Sequence, residues 1–486
     1  MNLKLLPLAS LLISPVLSAQ ENYTIPRKEY SPVIDCKMDS GEWQNATKVK
    51  LPFEIDPGDS TPAKVDTFAY IMEDGEYFYV AFKAYDPNPE IIVANIRDRD
   101  NIFGDDFVGV VVDPFNDARI RFDFFVNPLG SQGDLTQDDV QNIEDPTWNA
   151  VWNNAGQLND DGFTVEIAVP YRSIRYTANL DIQTWGIEFV RNYPRNVSRL
   201  MIDAPSDRKL ECTLCQYNKV TGMPSLQSAG VDFDIVPSLT YTDSETRAIG
   251  GDWQELDNES ELGADLRWAM TENWIVNAAI TPDFSQVEAD VPQLDINTTF
   301  SLFFPETRSF FLDGAEYFNT ANQLMHTRNI ADPDYGVKLT GQTDNFSLGV
   351  IASRDEKTSF LLPSSQGASI AVENDSSDVL IARGQYDYVA GNNCGFLLTN
   401  RSADDYQNTV ESVDGKHHFS PTDILSYQVM YSELDTPLSI QNSQIEQSHS
   451  DTAYSIEYRH KDENASFKVA HTKFGEDFRA DMGFIT

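Results

Sequence analysis

Apolar and polar positions alternate with a period of two along most of the chain, in short runs broken by turn residues. In "TFAYIMEDGEYFYVAFKAYD", residues 67–86, Phe78, Val80 and Phe82 share a face and Asp74-Gly75 supplies the turn of a hairpin. "DDFVGVVVDPFNDARIRFDFFVNPLG", residues 105–130, predicts a second hairpin. There Ile120, Phe122, Phe124 and Val126 alternate with Arg119, Arg121 and Asp123. Phe163, Val165, Ile167 and Val169 alternate against Thr164, Glu166 and Ala168, and "TWGIEFVRNY" continues the pattern. Amphipathic strands in series over residues 20–228 predict an antiparallel β-sandwich.

From residue 229 the strands lengthen. In "ELGADLRWAM", Leu262, Ala264, Leu266, Trp268 and Met270 oppose Gly263, Asp265, Arg267 and Ala269, and after a short turn Trp274, Val276, Ala278 and Ile280 follow. Leu425, Tyr427, Val429 and Tyr431 repeat the period, as do Tyr454, Ile456 and Tyr458. Strands of about ten residues, apolar on one face, polar on the other and aromatic near their ends, are what an outer-membrane barrel needs, and a soluble sandwich shares the alternation. The expected fold is all-β: an antiparallel β-sandwich followed by an outer-membrane-type antiparallel β-barrel over residues 229–486. That barrel is expected to be incomplete, because the last segment, "HTKFGEDFRADMGFIT", lacks an aromatic-terminated closing strand.

Composition narrows the partners. The 486 residues carry a formal charge of -41, which repels nucleic acid and leaves neutral, hydroxyl-rich ligands and divalent cations as favourable company. Residues 1–19, with Lys4 before an apolar run and Ser18-Ala19 at its end, read as a signal peptide. No later apolar run approaches the roughly 20 residues of a membrane helix. Cys212 and Cys215 form a C-x-x-C, read as a small structural disulfide or a thiol pair; Cys36 and Cys394 are unassigned.

Two resemblances sharpen this reading. "SPVIDCKMDSGEW", "GDDFVGVVVDP", "FDFFVNPLGSQGD", "WNAVWNNAGQLNDDGFTVEIAVPYRSI" and "TWGIEFVRNYPR" resemble carbohydrate-binding module family nine. The resemblance implies a terminal sugar clamped between aromatic rings and bonded by polar side chains, on a sandwich that can hold calcium. Two positions depart from it: Cys36 replaces a usual glycine, and Phe103 rather than a tryptophan precedes Asp105-Asp106. "TPDFSQVEADVPQLDINTTFSLFFPETRSFFLDGAEYF" with "HTRNIADPDYGVKLTG" resembles an uncharacterised outer-membrane barrel domain that follows family-nine-like modules in marine and gliding bacteria.

A sugar site needs a flat apolar face and fixed hydrogen-bonding groups. Trp148 and Trp152, among Asn and Asp in an expected loop, are the candidate platforms, or else fold back on the sandwich, and Phe103 is the next ring to test; Trp185, opening a strand, reads as core. Asp105, Asp106 and Asn127 are candidate hydroxyl partners. Asp113 and Asp134 are candidate calcium ligands, and turn chemistry accounts for such residues equally well. Glu306 with Arg308 reads as a buried ion pair, and His417-His418 as a solvated turn. The expectation is a carbohydrate-binding protein of the cell envelope, outer-membrane located with a periplasmic sandwich. A glycoside hydrolase is the first alternative, although no carboxylate pair stands out. A barrel for polymer transport gated by the sandwich is the second.

Overall fold

A computed structural model describes residues 20–485 except 39–40, 140–142, 147, 178–179, 211, 225–231, 244, 248–251, 253, 256–258, 272, 283–305, 307, 344, 357, 365–366, 374–375, 390–391, 421, 437–447 and 463–464. The expected signal peptide and most of the segment before Glu306 lie outside the described residues. The protein is all-β, in several sheets.

The first half is a two-sheet sandwich. One sheet orders its strands as Asn153–Asn159, Gly162–Pro170, Tyr77–Tyr85, Thr67–Glu73 and Thr47–Lys50, all antiparallel. The other runs through Ile143–Asp145, Gln132–Asp138, Ile120–Val126, Phe107–Asp113, Ile182–Pro194, Ser198–Ile202 and Phe53–Asp56 to Thr61–Pro62. Asn218–Pro224 branches from Ile182–Pro194 and pairs in parallel with Asn22–Thr24. The alternation read in the sequence fills the space between the sheets: Phe78, Val80, Phe82, Phe163, Val165 and Ile167 meet Phe122, Phe124, Ile187 and Phe189. Trp185 is fully buried in the same core, near Phe78 and Tyr171.

The outer faces are covered too. Gly162–Pro170 is buried along its whole length, including the polar positions Thr164 and Glu166. Glu166 explains why: its carboxylate accepts from the backbone N–H groups of Asp35 and Cys36 and from Trp43 Nε1, at 2.8–2.9 Å, pinning the N-terminal segment over the sheet. Cys36 has φ 61°, the left-handed region a glycine enters most easily, which gives a physical reason for glycine at that position in the resembling family. On the second sheet, Phe107, Val111, Phe125 and Val190 pack under Leu214 and Tyr217, next to the Cys212–Cys215 disulfide.

Among the described residues the second half is an eleven-stranded antiparallel sheet from Asp232–Thr242 to Ser466–Phe474, with two separate two-stranded ribbons. Among the described residues these two strands do not pair with each other, so no closed barrel is formed. The faces are inverted relative to a water-soluble sheet. Leu380, Phe396, Val413, Val429 and Ile456 are exposed on one face. The other carries the buried pairs Arg383–Asp414 (2.7 Å) and Arg401–Asp355 (2.7 Å). That inner face is filled by the segment around Ser309–Leu312 and Ala315–Phe318 together with residues 475–485. Phe310, Phe311, Phe318, Phe478 and Met482 pack there on Ile351, Ile381, Leu397, Val410 and Met430. Phe310, Phe311 and Phe318 thus lie on the inner face of the sheet. Arg308 closes it, bonding Glu306 at 2.7 and 2.8 Å and the carbonyls of Thr327 and Ile330, so that pair is structural. His417 and His418 belong to the strand Tyr406–Ser420; the turn begins beyond them.

Two ends of this sheet differ. At one end few residues separate consecutive strands, as from Val389 to Asn392, Ser420 to Asp423 and Lys461 to Ser466, and near it Tyr388, Phe419 and Phe467 are exposed, with Tyr427 and Tyr458 half-buried beside them. At the other end the strands are farther apart in sequence between Ile280 and Pro333, Asp355 and Ser377, and Asp435 and Ser448, although Ala403 and Tyr406 are joined there by a short turn. The sandwich meets the end that carries Asp387 and Ser347. Arg119 reaches Asp387 Oδ2 at 2.9 Å and donates to Ser347 Oγ at 3.2 Å.

Candidate functional site

The candidate residues divide between two faces of the strand Ile120–Val126, because successive side chains of a strand point to opposite sides. Phe103, 42% exposed, packs by its edge on Phe107 and Phe125. Trp148 and Trp152 pack on Phe124, at 5.9 and 5.4 Å between ring centres, and Trp148 also lies 5.1 Å from Phe122. Phe125 and Phe124 are consecutive, so Phe103 and the tryptophans sit on opposite faces. Phe103 and the two tryptophans are therefore separate candidates.

The two tryptophans differ in turn. Trp152 is 5% exposed and belongs to the sandwich core, its Nε1 donating to Asp134 Oδ2 at 3.3 Å. A ring with no free face offers no stacking platform, so the loop-platform expectation for Trp152 is corrected: its neighbours are core aromatics that the sequence did not place beside it. Trp148 remains partly exposed.

The polar candidates are mostly engaged in holding loops. Asp105 accepts from Asn95 N and Nδ2, Arg97 Nη2 and Asn127 Nδ2, at 2.9–3.1 Å. Burial pushes its carboxyl upward, yet Arg97, Asn95 and Asn127 together hold it below the usual carboxylate range. Asn127 also accepts from the N–H groups of Leu129 and Ser131, shaping the following turn. Asp106 pairs with Arg195 at 2.7 Å, and its burial still raises its carboxyl.

Asp113 and Asp134 each hold local backbone. Asp113 caps its hairpin turn, accepting from Asn116 N and Ala118 N, and burial pushes its carboxyl up. Asp134 takes a bidentate pair from Arg99 at 2.6 and 2.7 Å and accepts from Ala150 N. Backbone donors and a guanidinium thus already bond to these carboxylates. Among the described residues no cluster of three or more His, Cys, Asp or Glu is placed to hold a metal ion.

Trp148 instead lines a cleft of about 620 Å³ between the sandwich and the inner face of the long sheet. From the sandwich come Phe122, Trp148, Asn149 and Val151; across the gap stand Asp265, Arg267, Asn277 and Asp313. Arg175 of the sandwich ties the walls together. It bonds Asp313 Oδ1 at 2.9 Å, lies 3.9 Å from Glu316, and sits over the Tyr317 ring at 5.2 Å. Asp313 also accepts from Asn277 Nδ2 at 2.9 Å and lies 3.5 Å from Arg267. Burial would raise its carboxyl, but Arg175, Lys338 and Arg267 outweigh burial and hold it well below the usual range. Glu316 goes the other way, raised by burial despite Arg175. Sequence reasoning missed this wall. Asp265, Arg267 and Asn277 look like any polar face of a strand, and only their alternation against apolar neighbours marked them as inward.

A family model described as a domain of unknown function, DUF5916, matches residues 238–351. No curated protein matches the chain. Among solved structures, the chain is similar to a carbohydrate-binding module of family 9 from Caldicellulosiruptor kristjanssonii in complex with cellotriose. Identity is 16% and the TM-score 0.31, over 41% of this chain and 92% of that one. A putative carbohydrate-binding protein from Bacteroides uniformis ATCC 8492 matches at 12% identity and TM-score 0.34, over 42% and 99%. The CymD monoaromatic hydrocarbon channel matches at 9% and 0.22, over 85% and 87%. Likenesses of this strength carry no argument about what the chain does.

Proposed function

We propose that the protein is a carbohydrate-binding component of the cell envelope, with its long sheet in the outer membrane and its sandwich in the periplasm. The observation that carries the binding is the cleft. A partly exposed tryptophan lines it together with amide, carboxylate and guanidinium groups, and its volume of about 620 Å³ falls in the range of small-ligand sites. A sugar ring presents C–H bonds on one side and hydroxyls around its edge, so an indole face with fixed polar groups nearby complements it.

The membrane reading is supported by the inverted sheet. Apolar side chains are exposed on its outer face, charged pairs lie within, and exposed rings stand near the end where Val389 and Asn392 are close in sequence, features a lipid-spanning sheet uses. Outer-membrane barrels keep their short turns on the periplasmic side, and the sandwich meets that end through Arg119. Binding is favoured over hydrolysis because Asp313 and Glu316 are both engaged with Arg175.

The test is calorimetric titration of the detergent-solubilised chain with neutral mono- and oligosaccharides. Trp148→Ala should weaken binding about 30-fold, from about 2 kcal/mol for a stacked anchor. Saccharide binding absent from the wild type across such a panel would refute the reading.

A further inference from the structure

The cleft has two walls, and each belongs to a different half of the chain. Arg175 fixes their separation, joining the sandwich to Asp313 and donating to Thr340 Oγ1 at 3.4 Å. Opposite Trp148, Asn277 on the strand Trp274–Ile280 is 7% exposed. Its Nδ2 is spent on Asp313, which fixes the amide, while its Oδ1 is buried and accepts no hydrogen bond. A buried acceptor without a donor is unfavourable unless something else supplies one.

The cleft's charges are largely satisfied among themselves. Arg175 and Arg267 both lie against Asp313. A charged ligand would have to break those pairs, whereas a hydroxyl can add to them. Arg172, also in the wall, is exposed to solvent.

We propose that the saccharide site is composite: a neutral sugar lies between Trp148 of the sandwich and the inner wall of the long sheet, where Asn277 Oδ1 accepts a hydrogen bond from a sugar hydroxyl. This rests on the carbohydrate-binding reading and assigns the specificity of that site to the second half of the chain. Affinity therefore depends on the two halves being latched, and Asn277 selects ligands that bring an O–H to that point.

The experiment uses the full chain in detergent and the neutral oligosaccharide that the panel above identifies as tightest. Asn277→Ala should raise Kd about tenfold. Ser309→Trp, at an exposed position on the same wall, tests the placement without altering the Asn277–Asp313 contact. Its bulk should change Kd at least threefold while the melting temperature stays that of the wild type. If Trp148→Ala weakens binding but both second-half variants bind as the wild type does, the sugar sits on the sandwich alone and the composite site is overturned. If an oligosaccharide carrying carboxylates binds more tightly than its neutral counterpart, the ligand class is overturned. Failure of the underlying reading is separate: there the wild type binds no saccharide, or Trp148→Ala changes nothing.

Discussion

Replacing Trp152 by alanine separates a core ring from a sugar platform. The indole is 5% exposed, between Phe124 and the remaining inner-face residues, and its N–H reaches Asp134. A buried tryptophan of about 150 to 250 Å² at about 25 cal/mol per Å² is worth about 4 to 6 kcal/mol as an upper bound. Measured aromatic-to-alanine losses of about 3 to 5 kcal/mol agree. Asp134 keeps Arg99 and the Ala150 N–H, so the lost indole bond adds little. A loss of about 4 kcal/mol in a domain of about 200 residues lowers Tm by about 8 to 16 °C. The assay is thermal unfolding followed by near-ultraviolet circular dichroism, beside Trp148→Ala as the partly exposed comparison. A Trp152→Ala variant that melts within about 2 °C of the wild type would refute the packing argument, since an exposed ring changes stability by only about 0.5 kcal/mol.

Three further outcomes are expected. Burial, with Asp203 and Asp123 nearby, pushes Glu188 from 4.5 up to about 8. The folded state therefore holds a proton that the unfolded chain releases, and sandwich stability should fall as pH rises from 4.5 to about 8. Glu188→Gln should flatten that slope, and parallel wild-type and variant curves from denaturant titrations would count against it. Reducing Cys212–Cys215 should cost no more than about 2 kcal/mol, because the closed loop is very short; a larger drop in the denaturation midpoint would contradict this. Val429→Arg, on the outer face of Asp423–Asp435, should destabilise insertion into lipid vesicles by about 2 to 4 kcal/mol if the face meets lipid. Unchanged insertion would remove the membrane reading.

What the sequence alone determined is periodic. The two-residue alternation placed Phe78, Val80, Phe82, Phe122, Phe124 and Trp185 inward, because the pleat of a strand assigns sides by parity alone. Parity also marked the apolar outer face of the long sheet. What it does not report is what covers a face. Glu166 reads as solvent-facing and is buried, because Asp35, Cys36 and Trp43, more than a hundred positions away, bond to it. The same limit governs the site. Trp148 and Trp152 stand four residues apart in one polar stretch, yet one lines a cleft and the other fills the core. Phe103 and Trp148, both candidate sugar rings, lie on opposite faces of one strand. The wall holding Asn277 and Asp313 comes from beyond residue 260, and only the docking of the two halves through Arg175 sets it against Trp148. Local pattern fixes which way a side chain points. Which other side chain it meets depends on long-range packing, which the alternation does not encode.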